Sequence, residues 1–283
     1  MLDYIYFFII FLIISLLYLH LKQQYYVSGN FNDINYIDYE ITKNQFQELC
    51  NSKIPFIYKY NISEEEKLFQ KDSLINNYNN FEINHNSNSI VLNDFFSNEK
   101  KFNYYESSNN ESFLENTDLF TKLYTNDYFL RPCFTAHYKY DILLLKESDS
   151  QDYTILKNKF YATYIHCIDN TVQIKLVSPK YDSYFQKHNQ NKEIISNLKM
   201  KNIPLFNDEL MASDKNYCKI QSKTIILHPG DLLYIPPLWY FSCKSNDNYN
   251  ISLCYNYMTY MNSVLFLPDL LDSTIKYVNN NFM

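Results

Sequence analysis

The run from Ile225 to Cys243 reads IILHPGDLLYIPPLWYFSC and holds one of only two glycines, Gly230, and the single tryptophan, Trp239. Apolar stretches of strand length flank Pro229-Gly230-Asp231, a turn signal whose glycine supplies a positive φ. Pro236-Pro237 then ends ladder donation. The stretch therefore predicts strand, tight turn, strand, corner and strand.

Working outward, the flanking segments are also β-rich. Ala136 to Leu145 ends in a run suited to a buried strand, Lys159 to Ile168 is aromatic and β-rich, and Val172-Gln-Ile-Lys-Leu-Val177 alternates cleanly before Ser178-Pro179. Asn250 to Met258 alternates as a final strand. Thr42-Lys-Asn-Gln45 has capping-box form ahead of a short helix, helical stretches are expected within 104–132, and a further helix over Lys192 to Met200. From Pro268 the spacing of Leu270, Leu271, Ile275 and Val278 predicts a C-terminal amphipathic helix. The division expected is an anchor over 1–22, a linker and entry strand over 23–40, the main domain over 41–262 and the amphipathic helix over 263–283.

Tyr4 to Leu21 carries no charge, and eighteen helical residues span about 27 Å, close to a hydrocarbon core of about 30 Å. The expectation is a single-pass, uncleaved transmembrane helix, with Lys22 orienting the large domain toward the cytosol. The net charge of −6 excludes nucleic acid as the main partner. Six cysteines without CxxC spacing read as free, buried thiols, and the run Ser63-Glu-Glu-Glu-Lys67 reads as a solvated helix start.

Gly230, five residues and Pro236 is the spacing of the second cupin motif, and PGDLLYIPPLWYF resembles the PGD-hydrophobic-IPPGWWH run of cupin-like and JmjC-type oxygenases. NTVQIKLVSP resembles a second strand of that family, with Asn170-Thr171 where glycine is usual. The resemblance implies a mainly β fold, a double-stranded β-helix with peripheral helices; with the anchor and composition it is similar to the anchored members of large DNA viruses or A/T-rich protists, the former implying a virion or host membrane.

Oxygenases of that family need two histidines and a carboxylate around Fe(II), with 2-oxoglutarate as co-substrate. Here the His-x-Asp slot falls on Leu156 and Asn158, and the distant histidine is Phe241. His137 has Lys139 at the carboxylate position, and His166 and Asp169, three apart, point to opposite faces of a strand. Convergence of His137, His166 and His228 is the remaining route to a metal. Three readings stay open. One is a structural or interaction module without metal or cofactor, binding a protein partner or itself. The second is an active oxygenase with unusual ligands, using Fe(II) and 2-oxoglutarate. The third is a small-molecule or glycan binder whose barrel mouth carries Tyr234, Trp239, Tyr240, Phe241 and Tyr255, with Lys175 or Arg131, the lone arginine, as an anion contact.

Overall fold

The computed structural model describes residues 2–24, 34–85, 88–97, 106–146, 155–186, 206 and 218–265. The helices expected over Lys192 to Met200 and from Pro268 lie outside these residues.

In chain order the elements are α1 (Leu2–Gln24), β1 (Asn35–Ile37), α2 (Lys43–Asn51), β2 (Phe56–Lys59), a 3-10 turn at Glu66–Phe69, and α3 (Lys71–Tyr78). The hairpin β3 (Glu82–His85) and β4 (Asn88–Val91) leads to α4 (Leu92–Ser97), β5 (Glu106–Ser107), α5 (Glu111–Asn116), α6 (Leu119–Lys122) and α7 (Tyr124–Leu130). The β-rich half follows: β6 (Thr135–Lys146), β7 (Leu156–Lys157), β8 (Ala162–Asp169), β9 (Val172–Val177), α8 (Asp182–Gln186), β10 (Ser222–Leu227), β11 (Asp231–Ile235), β12 (Tyr240–Ser245), β13 (Tyr249–Thr259) and α9 (Tyr260–Leu265).

Two sheets carry the domain. The larger runs β1-β2-β11-β8-β13-β6-β5 and the smaller β10-β9-β12-β7, and all neighbours pair antiparallel except β1 with β2. From β6 to β13 successive strands alternate between the two sheets, except that β9 and β10 both lie in the smaller one, the winding of a double-stranded β-helix. β8 lies at the centre of the larger sheet and is buried on both faces. Its Ile165 and Cys167 join an aliphatic core with Ile174, Leu176, Leu233 and Trp239 between the sheets, whereas Tyr164 and Ile168 join Phe46, Leu74, Phe113 and Leu130 beneath the helices. Each of these large apolar side chains contributes on the order of 1.5–3 kcal/mol by leaving water.

The central motif folds as its punctuation predicts. Gly230 takes φ +86 between β10 and β11, and its N–H donates to the Cys167 carbonyl at 2.8 Å. Asp231 is a clamp: its carboxylate accepts from His228 N at 2.9 Å, Tyr36 OH at 3.0 Å and Lys59 Nζ at 3.3 Å. At the β11–β12 corner Leu238 adopts φ +68, a conformation usually left to glycine. Asn170 meets the same demand before β9 with φ +58. The capping box is present, with Gln45 N donating to Thr42 Oγ1 and Thr42 N to Gln45 Oε1 at 2.9 Å.

Several expectations are corrected. The N-terminal helix forms, but among the described residues no helix is long and apolar enough to cross a membrane. Two cysteines expected to be buried, Cys133 and Cys218, are exposed, although all six are free thiols. Lys175, named as an anion contact, is 6% exposed with Nζ 5.4 Å from the Phe206 ring centre.

Candidate functional site

The two strands on which the oxygenase resemblance would place metal ligands are neighbours in the smaller sheet. Leu156 and Phe241 are direct Cα partners on β7 and β12. Phe241 is buried in the inter-sheet core and Leu156 packs against the same cluster. Asn158 sits beyond β7, 1% exposed, and its side chain is fully committed to the barrel corner. Nδ2 donates to the carbonyls of Ile235 and Pro236 at 2.8 and 2.9 Å, and Oδ1 accepts from Phe160 N and Thr163 Oγ1, both at 2.9 Å. These residues do not fit a ferrous ion: two are hydrocarbon and the third is an amide already hydrogen-bonded on both atoms.

The alternative histidines do not converge. His137 and His228 are exposed, while His166 is fully buried. On β13, His137 stands opposite Met258 and His166 opposite Leu253, five residues and about 17 Å apart at strand spacing. Among the described residues no three His, Cys, Asp or Glu side chains group as metal ligands. His166 and Asp169 find different partners, helped by a bulge in the β8–β13 register: Asp169 Oδ2 accepts from Lys71 N at the start of α3, 3.2 Å away.

The five aromatics expected at one barrel mouth lie in three places. Trp239 and Phe241 fill the inter-sheet core, and Tyr234 and Tyr255 are buried under the helices. Tyr240 packs with Ile155, Val177 and Ile220 in a third cluster, its hydroxyl donating to Asp182 Oδ1. Arg131 is half-buried and ion-paired with Asp127, Nε to Oδ2 at 2.6 Å, and its guanidinium lies 4.6 Å from the Tyr138 ring centre. It holds the end of α7 rather than facing a ligand.

A titratable cluster that the sequence did not disclose lies under the helices. Glu66, placed in a solvated run by its neighbours, is 0% exposed. The 3-10 turn delivers it, because Ser63 N donates to Glu66 Oε2 at 2.9 Å while Glu66 N donates to Ser63 Oγ at 3.2 Å. Oε1 then accepts from Asn126 Nδ2 at 2.5 Å, from Tyr255 OH at 3.2 Å, and from His166 Nδ1 at 2.8 Å. His166 Nε2 lies 3.1 Å from the Tyr60 carbonyl oxygen. Both ring nitrogens face oxygen atoms, so the ring is held from both sides. Burial alone would raise the Glu66 pKa, but the hydrogen bond and charge of His166, with Ser63 N and Tyr255, hold it below the ordinary value. Enclosure keeps this pair from any solute, so it fastens the turn to β8. The Ser63-x-x-Glu66 spacing was the available signal; nothing in the sequence pointed to Asn126.

An eight-stranded double-stranded β-helix, with apolar side chains where the oxygenase resemblance would place ligands, defines the class of protein. Residues 42–263 match the family model described as the cupin-like domain, and the chain belongs to that family. Among curated proteins none matches the chain.

Proposed function

We propose that this protein is a cupin-like domain whose barrel has been given over to packing, and that it works as a structural or interaction module held at a membrane through α1. The pairing of Leu156 with Phe241 carries the reading, since it puts hydrocarbon on both strands that would supply ligands. Asn158 supports it by spending its amide on the corner.

The membrane part rests on α1, whose large apolar side chains from Tyr4 to Leu19 are exposed on every face of the helix. A helix apolar all round needs an apolar surrounding, which lipid provides. Six free thiols favour placing the domain on the reducing, cytosolic side.

The test is metal content of the full chain, purified in detergent, supplied with Fe(II), Mn(II) or Zn(II) and then dialysed. Metal well below one per chain is expected. Stoichiometric metal would overturn the reading and send the search for ligands to His166, His137 and His228 by substitution.

A further inference from the structure

Outside α1, the three most exposed large apolar side chains among the described residues are Phe134 at 83%, Tyr128 at 80% and Tyr260 at 65%. Phe134 and Tyr260 are structurally joined: Tyr260 N, at the start of α9, donates to the Phe134 carbonyl at 3.1 Å. Tyr128 lies six residues before Phe134 on α7. Phe134 also has φ +58, which an aromatic residue rarely adopts. The local fold enforces it, with Thr135 pairing to Thr259 at the start of β6 and Thr135 Oγ1 donating to the Pro132 carbonyl at 2.8 Å. A strained backbone thus presents an apolar ring to the outside, an expense with no return in water.

Two further observations say what covers it. The segments meeting here, 132–138 (PCFTAHY) and 257–265 (YMTYMNSVL), contain no Asp, Glu, Lys or Arg, in a chain where 20% of residues are charged. And α9, which Tyr260 opens, packs close to α1. The exposed aromatic rim is therefore continuous, through α9, with the helix whose apolar side chains are exposed on every face.

We infer that this end of the domain, led by Phe134 and Tyr260, is a lipid-docking surface that seats its rings at the headgroup boundary of the membrane against which α1 lies. The inference rests on the membrane reading of α1. Phe and Tyr suit such a site because the ring body enters the acyl boundary while a tyrosine hydroxyl stays hydrated. Docking would fix the tilt of the barrel on the membrane and leave the opposite rim, with the His228-Pro-Gly turn, facing away.

The test uses the full chain reconstituted in phosphatidylcholine vesicles whose acyl chains carry bromine, a contact quencher of indole. Phe134→Trp introduces a reporter at the tip, and the native Trp239, 4% exposed in the core, supplies the background from the unsubstituted chain. The reporter is expected to fall to roughly half its emission in brominated relative to plain vesicles and to resist aqueous iodide, as a ring at the interface does. Tyr260→Trp gives a second reporter should the first variant misfold. Flotation of the chain with vesicles is read first: a chain that stays in the soluble fraction overturns the membrane reading and the inference together. A chain that floats with reporters open to iodide and untouched by bromine overturns docking while the anchor stands. Reporters shielded from both are covered by protein, such as a second copy, which also overturns lipid docking.

Discussion

The larger sheet has two faces, and the contrast between them is the main lesson of the molecule. The face toward the smaller sheet, where the family's chemistry would sit, is packed with Ile165, Leu233, Ile174, Trp239 and Phe241. The face under the helices carries the charged and hydroxylated groups: Glu66 with His166, Asn126 and Tyr255, and Asp127 with Arg131, Tyr140 and Tyr257. On the helix-covered face, ionisable groups bind helices to the sheet. Between the sheets, the strands β7 and β12 meet through the hydrocarbon side chains of Leu156 and Phe241.

The most severe way to break this contrast is to remove one member of the buried pair. Glu66→Ala leaves His166 Nδ1, Asn126 Nδ2 and Tyr255 OH without their shared acceptor inside the fold, and breaking a buried pair from one side costs about 3–5 kcal/mol. Chemical denaturation of the full chain should show that loss, and a matched loss for His166→Ala. Replacing both by leucine should cost clearly less than the two single changes added together. Near-neutral single substitutions would mean that the cluster is not what ties the 3-10 turn to β8.

Two carboxylates sharpen the comparison through pH, with opposite signs. Glu66 is held below its ordinary pKa, so its contribution is present above the normal carboxylate range and disappears as pH falls through it. Asp141, on β6, is different. Burial lifts its pKa from 3.8 to about 6, against the opposing pull of Asn110 N and Asn109 N, which donate to it at 2.7 and 2.6 Å. The native state then holds a proton that the unfolded chain releases, so stability falls as pH rises from about 4 to about 6. A shift of this size corresponds to about 3 kcal/mol across that window. Urea midpoints measured from pH 4 to pH 7 should show this slope, and Asp141→Asn should flatten it.

The inter-sheet face was readable in the sequence because it is written in local order. Turn punctuation at Pro229-Gly230-Asp231, alternation in Val172 to Val177, and the spacing from Pro236 to Phe241 are each short-range signals; that Leu156 pairs with Phe241 is a long-range fact that only the fold supplies. The outer face was not readable. Glu66, Asn126, His166 and Tyr255 come from four distant segments, and the burial that changes their chemistry is supplied by helices packed between them. A glutamate preceded by two others looks solvated until the reciprocal bonds with Ser63 turn it inward. The aromatics misled for a related reason: Trp239, Tyr240 and Phe241 are consecutive, but a strand sends neighbours to opposite faces, so Tyr240 leaves the group. Tyr234 and Tyr255 follow the parity of the helix-covered face on their own strands.

The two faces are not independent, and the smallest predicted effect measures their coupling. A Cβ at Gly230 would lie 3.4 Å from the Tyr60 carbonyl oxygen, and its φ of +86 disfavours any side chain. That carbonyl is the acceptor facing His166 Nε2, and Tyr60 N in turn donates to the Gly230 carbonyl at 2.8 Å. The turn that shapes the barrel rim therefore also positions one end of the buried pair. Gly230→Ala is expected to cost about 1–2 kcal/mol from the left-handed backbone alone, with a further part from displacing Tyr60. That further part should vanish when His166 is already leucine, so a double-mutant cycle between the two positions gives a non-zero coupling. Asn170→Gly supplies the control. Its φ of +58 is one that asparagine already tolerates, and the change should stay within a few tenths of a kcal/mol in either background. Equal costs of Gly230→Ala with and without His166 would show that the rim and the helix-covered face fold as separate units.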